Sequence, residues 1–250
     1  MEPVSRFDIR RGRDRARTST DWLDSRHSFA FADHYQPDNT SFGLLLAHNC
    51  DVLQPGPGYP PHAHRNLEIL TWVLDGALTH HDLSGGASTA ISTGQLQYVS
   101  AGSGIRHTEA SAGSGPVRLV QMWLSPDELD AEPGYQLLEV ADRLGSGELV
   151  PVASGLDGAG DRAGGALCIR QRAAALSVAR LTPGSSVRLP AAPYVHVFVT
   201  AGTVTVEPAG DDAVWLQAGD ALRITDRGGE LVEAGDAAEL LVWTMHASLT

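Results

Sequence analysis

Short stretches in which apolar and polar residues alternate recur along most of the chain. The clearest covers residues 67–74, and the dipeptide Asp75-Gly76 separates it from another apolar stretch at residues 77–80. Alternation with a period of two is typical of half-buried β-strands, and Asp-Gly between two such runs favours a hairpin. The pattern therefore predicts an all-β protein of short strands and tight turns, with few short helices.

The same pattern extends through both halves of the chain. We expect further strands at residues 22–31, 41–49, 94–99, 117–124, 176–181, 187–189, 195–199, 203–206, 221–224 and 239–243. Ser125 followed by Pro126 and two acidic residues predicts a short helix or a turn there. Residues 133–165, rich in Gly and Asp, are interpreted as a connection to the second domain.

The second half resembles a diverged copy of the first. Gly76 corresponds to Gly202 between two apolar runs, and Gly94 corresponds to Gly219 before another. Repeated patterns of this kind predict two similar β-barrels, which we place at residues 1–132 and 133–250.

Two pairs of residues suited to metal binding stand out in the first half. His62 and His64 are two residues apart, as are His107 and Glu109. Side chains at positions i and i+2 of a strand point to the same side, so each pair shares a face. Imidazoles and a carboxylate meeting inside a barrel suit a divalent transition metal, with positions left for other ligands. Thiolate ligands are lacking, which argues against a structural zinc site.

Alternatives to these four ligands remain open from the residues alone. Glu68 has the same parity as His62 and His64 and competes with Glu109 as the carboxylate ligand. His80, His81 and Asp82 fall at a strand end and turn, where we interpret them as surface groups or as partners behind the ligands.

In the second half, the alignment predicts that the metal ligands have been lost. Arg188 and Pro190 fall where His62 and His64 lie, and Val232 and Ala234 fall where His107 and Glu109 lie. His196 remains alone there and is interpreted as a structural residue with satisfied hydrogen bonds.

Composition narrows the range of functions. A net charge of −12 argues against direct binding to nucleic acid phosphates or anionic membranes. We find no apolar run of membrane-spanning length and no signal-peptide core, so we expect a cytoplasmic protein, and we expect it to be a monomer. Lysine is absent, which excludes Schiff-base chemistry and a Walker-type phosphate lysine. Cys50 and Cys168 are expected to be two free, buried thiols.

Three segments resemble the pirin family. Residues 61–76, PHAHRNLEILTWVLDG, are similar to its first signature, and residues 100–109, SAGSGIRHTE, to its second. Residues 22–29, WLDSRHSF, are similar to the beginning of the bacterial pirin-like branch. The resemblance covers most of residues 1–125, whereas residues 166–250 match in pattern only.

The resemblance implies a bicupin, in which two jelly-roll-type cupin barrels lie face to face and the N-terminal barrel holds the metal. It implies His62, His64, His107 and Glu109 as ligands, and so favours Glu109 over Glu68. The family metal is usually Fe(II), and Mn, Ni, Cu or Zn remain alternatives; no residue is assigned to an organic cofactor.

Bacterial members of the family are associated with quercetin 2,3-dioxygenase activity, whereas animal pirin is a nuclear co-regulator of transcription. We therefore expect a dioxygenase that opens the ring of quercetin or a similar flavonol, with dioxygen as co-substrate. Glu109 is expected to act also as the general base for the flavonol hydroxyl. The alternative hypothesis is a non-enzymatic protein whose metal, through its redox state, controls docking to a regulatory protein partner.

Overall fold

A computed structural model describes residues 7–156, 165–207 and 213–249. Regular structure in these ranges is almost entirely β, with two short 3-10 helices at Gly12–Asp14 and Ala141–Ser146. The predicted all-β class is confirmed. Neither of these helices is long and apolar enough to cross a membrane.

Twelve of the strands precede residue 140. They are β1 (Phe7–Arg10), β2 (Ala16–Ser19), β3 (Leu23–His27), β4 (Leu45–Leu53), β5 (Tyr59–His64), β6 (Glu68–Asp75), β7 (Ala77–Asp82), β8 (Ser88–Ser92), β9 (Gln95–Ser100), β10 (Ile105–Ser111), β11 (Val117–Leu124) and β12 (Gly134–Glu139).

Ten further strands follow. They are β13 (Val150–Ser154), β14 (Leu167–Cys168), β15 (Ala174–Leu181), β16 (Ser186–Arg188), β17 (Ala192–Ala201), β18 (Thr203–Glu207), β19 (Val214–Gln217), β20 (Ala221–Arg227), β21 (Leu231–Ala234) and β22 (Ala238–Met245).

The strands form two barrels of the same design, each made of a seven-stranded and a four-stranded sheet. The first barrel combines the order β12-β9-β6-β11-β4-β3-β2 with β5-β10-β7-β8. The second combines β1-β20-β17-β22-β15-β13-β14 with β16-β21-β18-β19. The predicted bicupin architecture is therefore confirmed, with corresponding strands in corresponding places.

The two faces of each large sheet pack in different cores, because successive side chains along a strand point to opposite faces. On β11, Val117 and Leu119 pack inside the first barrel, whereas Val120 and Met122 pack in the core shared with the second barrel. Side chains of successive strand residues point to opposite faces, so one strand serves both cores. This is why β11 carries buried apolar residues on both of its faces.

The two barrels meet through their large sheets in one continuous apolar core. Trp72 on β6 and Trp243 on β22 are both fully buried there. The indole of Trp72 donates to Glu239 of the second barrel at 3.0 Å, and that of Trp243 lies 3.2 Å from the sulfur of Met122 in the first. Each tryptophan thus places its one polar atom on a partner in the opposite barrel.

Strand pairing also crosses between the halves of the chain. The first strand, β1, pairs antiparallel with β20 of the second barrel, and β12 pairs antiparallel with β9 of the first. Each half therefore contributes an edge strand to the other barrel. The division at residue 132 remains a prediction, and the sheets are not separated there.

Several predicted boundaries differ from the structure. The strand expected at residues 41–49 begins at Leu45, because Gly43 (φ +55°) and backbone bonds between Phe42 and Leu45 close a tight turn first. The short helix or turn expected after Ser125 is a bend and turn at residues 127–130, where Asp127 accepts a hydrogen bond from the Arg172 backbone amide.

The expected connection at residues 133–165 contains β12 and β13 in its described part, while residues 157–164 lie outside the described residues. Both cysteines are free, as expected. Cys50 is half-buried and Cys168 is exposed, so the expectation of two buried thiols was wrong.

Candidate metal centre

Three histidines of the first barrel converge on one point. His62 on β5 pairs directly with His107 on β10, and His64 lies two residues further along β5. One ring nitrogen from each lies within 4.8 Å of those of the other two. The structure thus brings together the two distant segments that the sequence singled out.

The orientation of these rings leaves nitrogen lone pairs available to a metal. The Nδ1 atom of His62 donates to the Pro60 carbonyl at 2.8 Å, so its Nε2 atom carries the free lone pair. The ring of His64 packs edge-on against Trp123, with centroids 5.0 Å apart. His62 and His64 are half-buried, so the cluster has an open side.

His107 supplies the strongest sign that this place suits a metal. Its side chain is buried, and its Nε2 atom has no hydrogen-bond partner among the described residues. A buried polar atom without a partner is unfavourable, whereas metal coordination would satisfy this lone pair. The residues present therefore fit a divalent transition metal.

Burial keeps two of these imidazoles neutral. It lowers the pKa of His64 to about 4, assisted by the nearby His62. Burial likewise lowers the pKa of His107 to about 4, against the opposing effect of Glu109. A histidine must be neutral to bind a metal, so both are ready as ligands at neutral pH.

Glu109 is buried beside the three histidines and points across the barrel. Its carboxylate accepts from the Gln121 side-chain amide at 3.1 and 3.3 Å. It forms a second potential metal-binding group with His80 and His107, separate from the group of His62, His64 and His107. The pairing of β10 with β5 shifts register between His107 and Glu109, so the two side chains do not keep the same relation to β5. The four-residue ligand set stays a prediction.

The charge of this carboxylate is set by opposing influences. Burial alone would raise the pKa of Glu109, but His80, His107 and the Gln121 amide outweigh it and lower the pKa overall. Glu109 is therefore an anion at neutral pH, as a metal ligand or a proton acceptor must be.

Sequence reasoning placed His80 at the surface or behind the ligands, and the structure shows that it is buried. β7 pairs with β10 so that His80 lies opposite Glu109. Its Nδ1 atom is 3.1 Å from the Nδ1 atom of His107. Its neighbour His81 points away and contacts the Ser88 hydroxyl at 2.7 Å. Parity along the predicted hairpin separates the two, and this was the available signal.

Gln121 and Trp123 also belong to the site and were missed. Both lie on β11. The Trp123 indole donates to the side-chain oxygen (Oε1) of Gln121 at 3.1 Å, and the side-chain NH₂ of Gln121 donates to Glu109. β11 comes from the opposite sheet, so only the closed barrel brings these side chains to the histidines.

A cavity of about 230 Å³ reaches His80 and His107 from the side of β12. Val99 and Ile105 line it together with Tyr135, whose ring lies 5.7 Å from that of His80. This cavity is smaller than most small-molecule pockets, so it adds space beside the histidines without enclosing a large substrate by itself.

Comparison with known proteins gives a consistent family assignment. Residues 9–124 match the family model of pirin, and residues 158–245 match that of the quercetinase C-terminal cupin domain. A protein of Mycobacterium tuberculosis, named provisionally as a quercetin 2,3-dioxygenase, is 47% identical over 97% of this chain and 96% of its own. The chain belongs to the pirin family.

Two further relatives of this pirin come from Escherichia coli. The quercetin 2,3-dioxygenase of strain K12 is 31% identical over 95% of this chain and 97% of its own. The crystal structure of the bacterial pirin YhhW in complex with nickel(II) matches with a TM-score of 0.85 at 30% identity, covering 96% of this chain and 99% of that one.

Glu68, the competing carboxylate, lies apart from the histidine cluster of this pirin. β5 ends at His64 and β6 begins at Glu68, with Asn66 in the left-handed region (φ +53°) between them. The assumption of one continuous strand was therefore wrong, and its parity argument fails. Buried Glu68 instead accepts hydrogen bonds from Tyr98 and from Ser100.

The equivalent place in the second barrel of this pirin has a different interior. β16 pairs with β21 as β5 pairs with β10, and Val187 rather than Arg188 lies opposite Val232, so the predicted alignment of Arg188 with His62 was wrong by one residue. Val187, Val232 and Ala234 are buried there in an aliphatic cluster. Among the described residues of this barrel, no group of three potential metal ligands occurs.

Proposed function

We propose that this pirin-family bicupin is a metal-dependent dioxygenase that opens the ring of quercetin or a similar flavonol. The observation that carries the proposal is the convergence of three histidine rings around the unpartnered, buried Nε2 atom of His107. The relatives named as quercetin 2,3-dioxygenases support the choice of reaction.

His62, His64 and His107 would hold the metal, with Glu109 as the fourth protein ligand. We propose Fe(II), with Mn, Ni, Cu or Zn as alternatives that the same ligands accept. The bound metal supplies Lewis acidity and, for redox-active ions, an electron couple for the reaction between the flavonol and dioxygen.

The protein's own side chains bind and orient the substrate. Half-buried Trp123, beside His64, offers an aromatic surface at the open side of the cluster. Glu109, held by Gln121, accepts the proton of the flavonol hydroxyl. The flavonol and dioxygen then give the ring-opened ester and carbon monoxide. Both atoms of dioxygen enter the ester, and one ring carbon leaves as carbon monoxide.

The test is turnover by reconstituted protein. Metal-free protein is loaded anaerobically with Fe(II), Mn(II), Ni(II), Cu(II) or Zn(II), then mixed with quercetin under air while flavonol loss and carbon monoxide are measured. We expect turnover with at least one metal and its abolition in His62→Ala. His81→Ala is the matched control, because His81 lies next to His80 on the same strand but points away from the cluster and contacts the Ser88 hydroxyl.

A metal-replete protein that leaves quercetin and related flavonols intact would overturn the dioxygenase proposal. The same protein with a partner that binds in only one redox state of the metal would instead support the non-enzymatic alternative.

A further inference from the structure

His80 contacts His107, one of the proposed metal ligands, from the neighbouring strand β7. Its side chain is only 4% exposed and projects from β7, the strand that pairs with β10 on the side opposite β5. Nδ1 of His80 lies 3.1 Å from Nδ1 of His107, within hydrogen-bond distance. This histidine–histidine contact is the starting point of the inference.

Two imidazoles in contact through their Nδ1 atoms have room for only one proton between those two nitrogens. One nitrogen must donate and the other must accept, so the two rings have opposite tautomers at this position. His107 has a second nitrogen, Nε2, which is buried and lacks a partner among the described residues. If Nε2 carried the proton, that N–H would be buried without an acceptor.

We propose that His80 is a positioning residue that accepts the Nδ1 proton of His107 and so presents the unprotonated Nε2 atom to the metal. The inference rests on the proposed metal centre and concerns only how the protein prepares it. A ligating imidazole generally donates its other N–H group to an acceptor that fixes its tautomer and ring orientation. His80 performs for His107 the task that the Pro60 carbonyl performs for His62.

This assignment also defines the role of Glu109. Nδ1 of His80 is 3.9 Å from the nearer carboxylate oxygen, beyond a hydrogen bond. Gln121 is then the donor that holds the carboxylate, which keeps further lone pairs for a metal or a substrate proton.

The test separates hydrogen-bond acceptance from packing. His80→Asn keeps an acceptor close to the position of Nδ1, whereas His80→Leu fills similar space without one. His81→Leu is the control on the same strand. For each variant, the dissociation constants of Zn(II) and Ni(II) are measured by chelator competition, and ¹⁵N chemical shifts of the metal-free protein report the tautomer of His107.

We expect His107 to be the Nδ1–H tautomer in the unmodified protein and in His80→Asn. In His80→Leu we expect the tautomer to be mixed and the metal to bind 10–100-fold more weakly, the usual loss when such an acceptor is removed. His80→Asn should recover most of that affinity, and His81→Leu should bind as the unmodified protein does.

An Nε2–H tautomer of His107 in the unmodified protein would overturn the inference. Equal weakening in the asparagine and leucine variants, both folded by circular dichroism, would overturn it as well, because packing would then explain the effect. These measurements contain no substrate, so a protein inactive on flavonols would refute the proposed function and leave this test intact.

Discussion

In the first barrel, the strands β5 and β10 turn His62, His107 and Glu109 inward, whereas in the second barrel β16 and β21 turn Val187 and Val232 inward. The strand orders of the two barrels correspond throughout. The comparison shows that the cupin architecture does not depend on the chemistry of its interior. Strand pairing, turns and the apolar core between the large sheets specify the fold. The residues that the small sheet directs into the barrel can therefore differ between the two barrels.

The two interiors also differ in the polarity of the side chains that they bury. The aliphatic cluster of the second barrel gains from apolar burial of about 25 cal/mol per Å² and leaves few polar groups to satisfy. The first barrel buries His107 and Glu109, whose desolvation is offset only by specific partners. We infer that the second barrel acts as the stable support on which the polar first barrel is assembled through the shared core.

The strongest test of this contrast places the ligand chemistry in the wrong barrel. Ala234→Glu introduces a carboxylate at a fully apolar position of the second barrel, opposite Val204 on β18. We expect it to lower the free energy of unfolding by about 3 kcal/mol or more, because the new charge has no partner. Urea unfolding measures the change.

The reciprocal substitution, Glu109→Ala, is its control. It removes a buried charge from a polar interior, and we expect the metal-free protein to remain folded at 25 °C. Similar stability losses in both variants would contradict the contrast between the interiors.

The second prediction concerns His107, which takes part in both potential metal-binding groups. His107→Leu should weaken metal binding by more than about 100-fold, since loss of an indirect partner alone costs 10–100-fold. The rise in melting temperature on adding Ni(II), which follows from preferential binding to the folded state, should disappear.

Val232→Leu changes the equivalent residue of the second barrel and should leave the metal response unchanged. A metal-dependent rise in melting temperature that persists in His107→Leu would place the metal elsewhere.

The convergence of the three histidines could be predicted from the sequence because the signal for it is local. His62, His64 and His107 are specified by parity on two short strands, and parity survives any uncertainty in topology. The parity argument for Glu68 failed because the left-handed Asn66 between β5 and β6 has no distinctive sequence signal. Gln121 belongs to the site only through closure of the barrel, which requires the pairing of distant strands.

The exchange of β1 and β12 could not be predicted for the same reason. A strand's own pattern indicates that it is a strand and which face is buried, but not which sheet it joins. Phe7–Arg10 pairs with residues more than two hundred positions away, and nothing in its four residues points there. The division at residue 132 followed composition, whereas the sheets follow long-range pairing.

A third prediction concerns the interface where the barrels meet. His48 of β4 and His196 of β17 are fully buried there, with ring centroids 4.9 Å apart. None of their ring nitrogens has a partner among the described residues, so His196 is not the satisfied residue that was expected. Burial lowers the pKa of both well below the ordinary value, and the facing Arg15 and Arg223 add to this.

Neutral His48 and His196 favour the folded state at high pH. Their folded pKa values lie below the unfolded value of about 6.5, so their contribution is complete above that pH and is lost as the pH falls below it. The loss reaches about 1.4 kcal/mol per pH unit for each histidine. Urea unfolding of the metal-free protein at pH 7.5, 6.5 and 5.5 measures it.

The double variant His48→Leu/His196→Leu isolates this pair, because His64 and His107 titrate in both proteins. We expect the double variant to lose less stability than the unmodified protein between pH 6.5 and 5.5. Parallel losses in the two proteins would show that the interface is insensitive to pH.

The last test concerns a feature that both barrels share. Gly76 (φ +74°) and Gly202 (φ +73°) end equivalent hairpin strands, and a Cβ atom at either would lie 2.6 or 2.3 Å from a backbone oxygen. Alanine should therefore lower the free energy of unfolding by about 1–2 kcal/mol because of the left-handed backbone. Moving the backbone oxygen away from the new Cβ atom should add to this loss. Gly184 (φ +76°) has no atom within 4 Å of its Cβ position, so Gly184→Ala measures the backbone cost alone.

We expect Gly76→Ala and Gly202→Ala to lower the free energy of unfolding by similar amounts, each more than Gly184→Ala does. Metal affinity should be nearly unchanged in all three. A hairpin glycine that proved essential in one barrel and dispensable in the other would mean that the repeated design is only geometric. Equal losses would show that both barrels still depend on the same turn, although only one retains the histidines.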